Sequence, residues 1–147
     1  MPVDFKVVAE NVGMAAALMM LTVFIHSVAL WSLRRLLERI VRRRVYGEHI
    51  LEEGVLIGII VVALCLIHFF EIFVWAGGYA AMGAVDSFWD AIYFSTTTYT
   101  TVGADGVSVL PRYRNLAGLE SLVGPMMVAW STAFLVEYVT RMRAPLK

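Results

Sequence analysis

Three stretches of this chain are apolar and long enough to cross a bilayer, and between the second and third sits a fourth of about half that length. Asn11 to Leu33 carries no charge. At about 1.5 Å per residue it exceeds the roughly 30 Å hydrocarbon core. Gly54 to Ala76 is interrupted only by His68 and Glu71, and Leu116 to Met142 only by Glu120, Glu137 and the terminal Arg141. Asp86 to Thr98 has 13 residues, too few to cross as a helix. Composition agrees: 60% of the residues are apolar and 16% charged, against about half and a quarter in ordinary soluble domains. That excess excludes a disordered chain, a nucleic-acid binder and most soluble enzymes, and leaves a membrane protein.

Asp4 and Glu10 precede the first stretch and arginines follow it, the reverse of a cleaved signal peptide, so a permanent helix is expected. Orientation follows from the twelve basic residues. Arg34, Arg35, Arg39, Arg42, Arg43 and Arg44 crowd the first connection, and Arg141, Arg143 and Lys147 follow the last span, against Lys6, Arg112 and Arg114 elsewhere. By the positive-inside rule the first connection and the carboxyl terminus are cytoplasmic and the amino terminus is outside. Two spans then separate the cytoplasmic segments, so residues 77–115 must enter and leave by one face, as a re-entrant loop. Trp31, Trp75 and Tyr138 are expected to act as interfacial anchors. The arginine run carries the topology signal and is a candidate contact for anionic lipid. Cys65, the single cysteine, reads as a small packing residue.

Irregular backbone at membrane depth leaves peptide groups unsatisfied unless it is buried in protein or lines a wet cavity. Tyr99–Gly106 (YTTVGADG) follows the short helix and has no apolar periodicity, so it reads as backbone lining a water-filled path. Such a path suits a cation, because carbonyls and a threonine hydroxyl replace hydration water without full negative charges. One chain supplies one strand, and enclosing an ion takes several copies in closed symmetry.

The run DSFWDAIYFSTTTYTTVGADG, followed by LPRYRNLAGLESLVG and an apolar helix, resembles the pore helix, selectivity filter and inner helix of the potassium-channel pore-domain superfamily, small bacterial members above all. The resemblance implies an all-α membrane protein with three transmembrane helices, a re-entrant pore helix and filter loop between the second and third, and a homotetrameric pore in the bacterial inner membrane. It divides the chain into an N-terminal span with its basic connection (1–53), a pore domain (54–142) and a short tail (143–147), with the first span peripheral to the pore unit. Asp86 is the expected N-cap of the pore helix. Thr101, Val102, Gly103 and Ala104 would present carbonyls to K⁺, with the Thr101 hydroxyl at the innermost site and Asp105 at the outer mouth. Tyr99, Thr100 and Glu120 would support the filter from behind.

The chain departs from the family at Ala104 and Asp105, which stand where relatives have tyrosine and a second glycine. The upper filter is therefore expected to be wider and wetter, with Asp105 in a left-handed backbone or capping the turn, and drawing divalent cations. The alternatives to a potassium channel are a weakly selective monovalent cation channel that also passes Na⁺ and a non-conducting membrane regulatory subunit. No enzyme chemistry, cofactor or nucleic-acid partner is expected, and no ligand-binding domain after Lys147. Gly124–Pro125 inside the third span reads as a gating hinge or a static kink. His68 and Glu71, three apart on one helix face, are expected to pair, as bracing or as a proton sensor. His26 reads as an interhelical contact, and Glu137 as a partner for Arg141 or a lining of the inner mouth.

Overall fold

The computed structural model describes residues 5–42 and 50–143, and every regular element among them is helical. Helix α1 runs Phe5–Arg42, α2 Ile50–Ala81, α3 Phe88–Tyr99 and α4 Arg114–Arg143, the last entered through a 3₁₀ turn at Pro111–Tyr113. The three long helices have 38, 32 and 30 residues and α3 has 12. At about 1.5 Å per residue α3 reaches roughly 18 Å, about half the hydrocarbon thickness. The protein is an integral membrane protein with three candidate spans.

The helices overrun the apolar stretches because their polar ends go on making intrahelical hydrogen bonds beyond the hydrocarbon. Arg34, Arg35 and Arg39 ride on the same rod as the first span; Arg34 pairs with Glu38 at 3.3 Å and the Arg35 guanidinium lies 4.3 Å over the Trp31 ring. The candidate lipid contacts Arg43 and Arg44, the side chain of Arg42 and tail residues 144–147 lie outside the described residues.

Helix directions follow from side-chain neighbours. Near one end, Asn11 of α1 donates to the Arg112 carbonyl ahead of α4, and Leu18 lies against Gly78 near the end of α2. At the other end Leu30, Leu33 and Leu37 of α1 pack with Leu56 and Ile60 of α2 and with Phe134 and Tyr138 of α4. So α1 and α4 run in one direction and α2 in the other. Lipid offers little hydrophobic drive between helices, and close packing of small residues takes its place. Ala15 and Ala76 are fully buried, and a Cβ on Gly78 would come within 2.7 Å of Leu18 Cδ1.

Two apolar residues differ from expectation. Trp75 is not an interfacial anchor: it is fully buried between α1 and α2, its indole N–H donating to Thr22 Oγ1 at 3.0 Å. An indole buried at depth needs such a partner, and Thr22, whose own proton goes to the Leu18 carbonyl at 2.8 Å, supplies the acceptor. Cys65 points out of the chain rather than into its packing.

Helix α2 ends in a Schellman motif. The Ala84 N–H reaches the Tyr79 carbonyl, the Gly83 N–H reaches the Ala80 carbonyl, and Gly83 takes φ +60°, a left-handed turn that a residue without Cβ adopts without strain. The returning arm is stitched to this corner. The Leu110 N–H donates to the Ala84 carbonyl at 3.1 Å and the Tyr113 hydroxyl to the Met82 carbonyl at 2.8 Å. Residues 85–109 therefore leave and rejoin the helix ends at one place, which is the geometry of a re-entrant loop.

Candidate functional site

Helix α3 is capped by Ser87 and not by Asp86. Ser87 is extended (φ −140°, ψ 159°), its hydroxyl accepts from the Asp90 N–H and donates to Asp90 Oδ2 at 2.7 Å. This reciprocal cap depends on an acidic residue three positions on, which Asp86 lacks. From there α3 descends between α2 and α4. Its buried face carries Ala91, Phe94, Ser95, Thr98 and Tyr99.

Two carboxylates hold that face. Glu120 of α4 is fully buried; the Tyr79 hydroxyl donates to its Oε2 at 2.6 Å, and Ser95 Oγ lies 2.5 Å from its Oε1 and 3.0 Å from the Ile72 carbonyl. One carboxylate thus joins α2, α3 and α4. Deeper, at the last residue of α3, the Tyr99 hydroxyl donates to Glu71 Oε2 at 2.5 Å. His68 Nδ1 lies 3.1 Å from the same oxygen and 3.0 Å from the Tyr99 hydroxyl, so the pair at i, i+3 is formed. His26 of α1 completes the cluster, with Nδ1 2.8 Å from Glu71 Oε1 and Nε2 3.4 Å from Ser131 Oγ of α4. His26 is an interhelical contact, as its isolation in an apolar span implies. What sequence did not disclose is that it meets Glu71. The first span thus reaches the residue that holds the end of α3.

The carboxyl end of α3 is pressed against α4. A Cβ built on Gly124 would overlap the Tyr99 carbonyl, so this position admits only glycine at the observed spacing. Pro125 follows within α4 and cannot donate to the Ser121 carbonyl one turn back.

Beyond Tyr99 the backbone leaves helical geometry while remaining tied to α3. The Thr100 N–H reaches the Thr96 carbonyl, Thr101 N–H the Thr98 carbonyl and Gly103 N–H the Thr97 carbonyl, at 3.0–3.1 Å. Three carbonyls at the helix end thereby hold the first residues of the loop, and Thr100 Oγ1 adds a 2.7 Å bond to Thr96 O. Thr101 (φ +60°), Gly103 (φ +84°) and Gly106 (φ +75°) have positive φ, while Val102, Ala104 and Asp105 do not. The left-handed backbone expected at Asp105 is found at Thr101. For a β-branched residue that conformation costs on the order of 1–3 kcal/mol, and such strain clusters at ligand clamps and switch regions. The strand itself is open: Thr101, Gly103 and Asp105 are exposed, Val102 is 78% exposed, and Ala104 is partly covered.

At the opposite end of the bundle Arg141 pairs with Glu137 at 2.5 Å. Arg34, Glu38, Phe134 and Tyr138 border the same shallow pocket.

Among known families, a model described as "Ion channel" matches residues 55–141 of this chain. Comparisons with curated proteins and with solved structures returned no match.

Proposed function

The chain belongs to the ion channel family, a family of channels and not of enzymes, and on that premise we propose that it is a homotetrameric potassium channel. The observation that supports this reading is the strand after α3: a TTVG sequence that follows a residue bonded to Glu71 within the second span, with positive φ at Thr101 and Gly103, exposed on one side of the chain. Channels of this family generally assemble as oligomers. An exposed strand at membrane depth needs other copies to enclose it, because lipid cannot satisfy its peptide groups.

In the assembled pore the carbonyls of Thr101, Val102, Gly103 and Ala104 would face the axis, and the Thr101 hydroxyl would complete the innermost site. K⁺ would exchange hydration water for these oxygens, and a following ion would speed its exit. The alternation of positive φ at Thr101 and Gly103 with negative φ at Val102 supports a run of carbonyls turned to one side. Tyr99 and Thr100 hold the base of the strand and Glu120 holds α3 behind it. Four carboxylates of Asp105 would ring the outer mouth. On this reading residues 54–142 are the pore unit, the amino terminus is outside, the carboxyl terminus is cytoplasmic, the membrane is a bacterial inner membrane, and the arginines from Arg34 to Arg44 face anionic lipid.

A second reading, a weakly selective cation channel, is favoured by one observation: Ala104 has no aromatic ring with which to brace the upper strand. Flux from proteoliposomes under opposed K⁺ and Na⁺ gradients separates the two. Strong preference for K⁺ supports the first reading, comparable flux of both ions supports the second, and no flux of either contradicts both.

A further inference from the structure

The cluster at the centre of the bundle contains more ligating chemistry than a brace for Tyr99 requires. His26 and Glu71 are fully buried, and the His68 side chain is 16% exposed. Their ligand atoms all lie within 4.8 Å of one another. Both Nδ1 atoms face the same carboxylate, one toward each oxygen, at 2.8 and 3.1 Å. Hydrogen bonding alone leaves the group incomplete, since His68 Nε2 is buried with no partner among the described residues.

We propose that His26, His68 and Glu71 form a binding site for a first-row divalent transition cation of the zinc type. Two imidazoles and one carboxylate are a donor set that suits Zn²⁺, with the fourth position of a tetrahedron left to water or to the neighbouring Tyr99 oxygen. Ligation through His26 Nδ1 places the ring proton on Nε2, where Ser131 Oγ stands 3.4 Å away as acceptor. Such an outer hydrogen bond fixes the tautomer of a ligating histidine. Tetrahedral ligands about 2.0–2.1 Å from zinc lie roughly 3.3 Å apart, so binding relaxes the 2.8 and 3.1 Å contacts slightly and closes wider separations, none above 4.8 Å, by rotamer adjustment within helices already in contact. The cluster lies behind the strand that follows Tyr99, and the cation bound here is distinct from any ion passing along that strand. The inference therefore stands whether or not the channel conducts.

The test uses the full chain, purified without a polyhistidine tag and titrated with Zn²⁺ by calorimetry, alongside His26→Gln, His68→Gln and Glu71→Gln. Glutamine retains a hydrogen-bonding amide and is a poor zinc ligand. His49→Gln removes the remaining histidine as a control. One zinc per chain is expected in the parent and in His49→Gln, with that binding lost in the other three, each of which lacks one of the ligands. Equal binding in all five proteins, binding lost only in His49→Gln, or no binding by the parent would overturn the proposal. Should the glutamine variants fail to fold, Co²⁺ absorption of the parent decides: the intense visible bands of a four-coordinate ion support the site, and the weak bands of a six-coordinate ion contradict it.

Discussion

Gly124 of α4 lies against the main-chain carbonyl of Tyr99 with no room for a Cβ between them. This contact fixes how closely the end of α3 approaches α4, and the strand from Thr101 begins two residues later. Gly124→Ala must push the helices apart, an overpacking that typically costs about 1–3 kcal/mol. The expected result is lower thermal stability and loss of ion flux together, measured in detergent and in proteoliposomes. Flux and melting temperature both unchanged would show that the contact is unimportant.

Pro125 separates the close-packing role of its neighbour from a hinge. Pro125→Ala restores a donor for the Ser121 carbonyl and adds no atom at the Tyr99 contact. If Gly124–Pro125 is a gating hinge, Pro125→Ala lowers open probability while leaving melting temperature equal or raised. An unchanged open probability would make the proline a static feature of α4.

Tyr99→Phe removes the hydroxyl that reaches Glu71 at 2.5 Å and leaves a buried carboxylate one donor short, at a cost of about 1–3 kcal/mol. Because Tyr99 is the last residue of α3, conduction is expected to fall further than stability alone would explain. Full flux through a folded Tyr99→Phe protein would sever the link between this bond and the strand.

Glu120 permits a sharper contrast. In Glu120→Gln the amide oxygen can accept from Tyr79 while its N–H donates to Ser95, whose own proton then serves the Ile72 carbonyl. Glu120→Ala leaves the buried Tyr79 hydroxyl without that partner, at about 1–3 kcal/mol, while Ser95 keeps the Ile72 carbonyl. Glu120→Gln is therefore expected to melt near the parent and Glu120→Ala well below it. Equal melting of the two variants would mean that Glu120 does not join the three helices energetically.

Asp105 tests the outer end of the strand. It is exposed, and its ring of carboxylates in a tetramer would draw external Ca²⁺. Asp105→Asn is expected to require several-fold more Ca²⁺ for half block. Identical block in parent and variant would place the divalent cation elsewhere.

The membrane spans and the re-entrant path were legible because both rest on length: about 20 apolar residues cross, and 13 do not. The His68–Glu71 pair was legible because helical spacing puts residues three apart on one face. His26 was not, since its partner lies 45 positions away on another helix and nothing in a local pattern registers that approach. Trp75 departs from the expected interfacial anchor for a related reason. Its place near the end of an apolar stretch suits an interface, but the helix continues to Ala81, and Thr22 across the interface supplies the acceptor that lets an indole remain inside. At the strand, glycine composition pointed to Gly103 but not to positive φ at Thr101, which is imposed by the hydrogen bonds to the end of α3 and not by the residue's own preference. The cap moved from Asp86 to Ser87 because the deciding partner was Asp90.

The most direct test of the central claim is single-channel recording from the reconstituted protein in symmetrical K⁺, with Gly103→Ala beside the parent. Gly103 has φ +84°, where an added Cβ is strained. If the strand after α3 is the conduction path, the parent shows discrete K⁺ openings and the variant, assembled to the same oligomeric size, shows none or openings of altered selectivity. Openings of the same amplitude and ion preference in both would place the conduction path outside this strand.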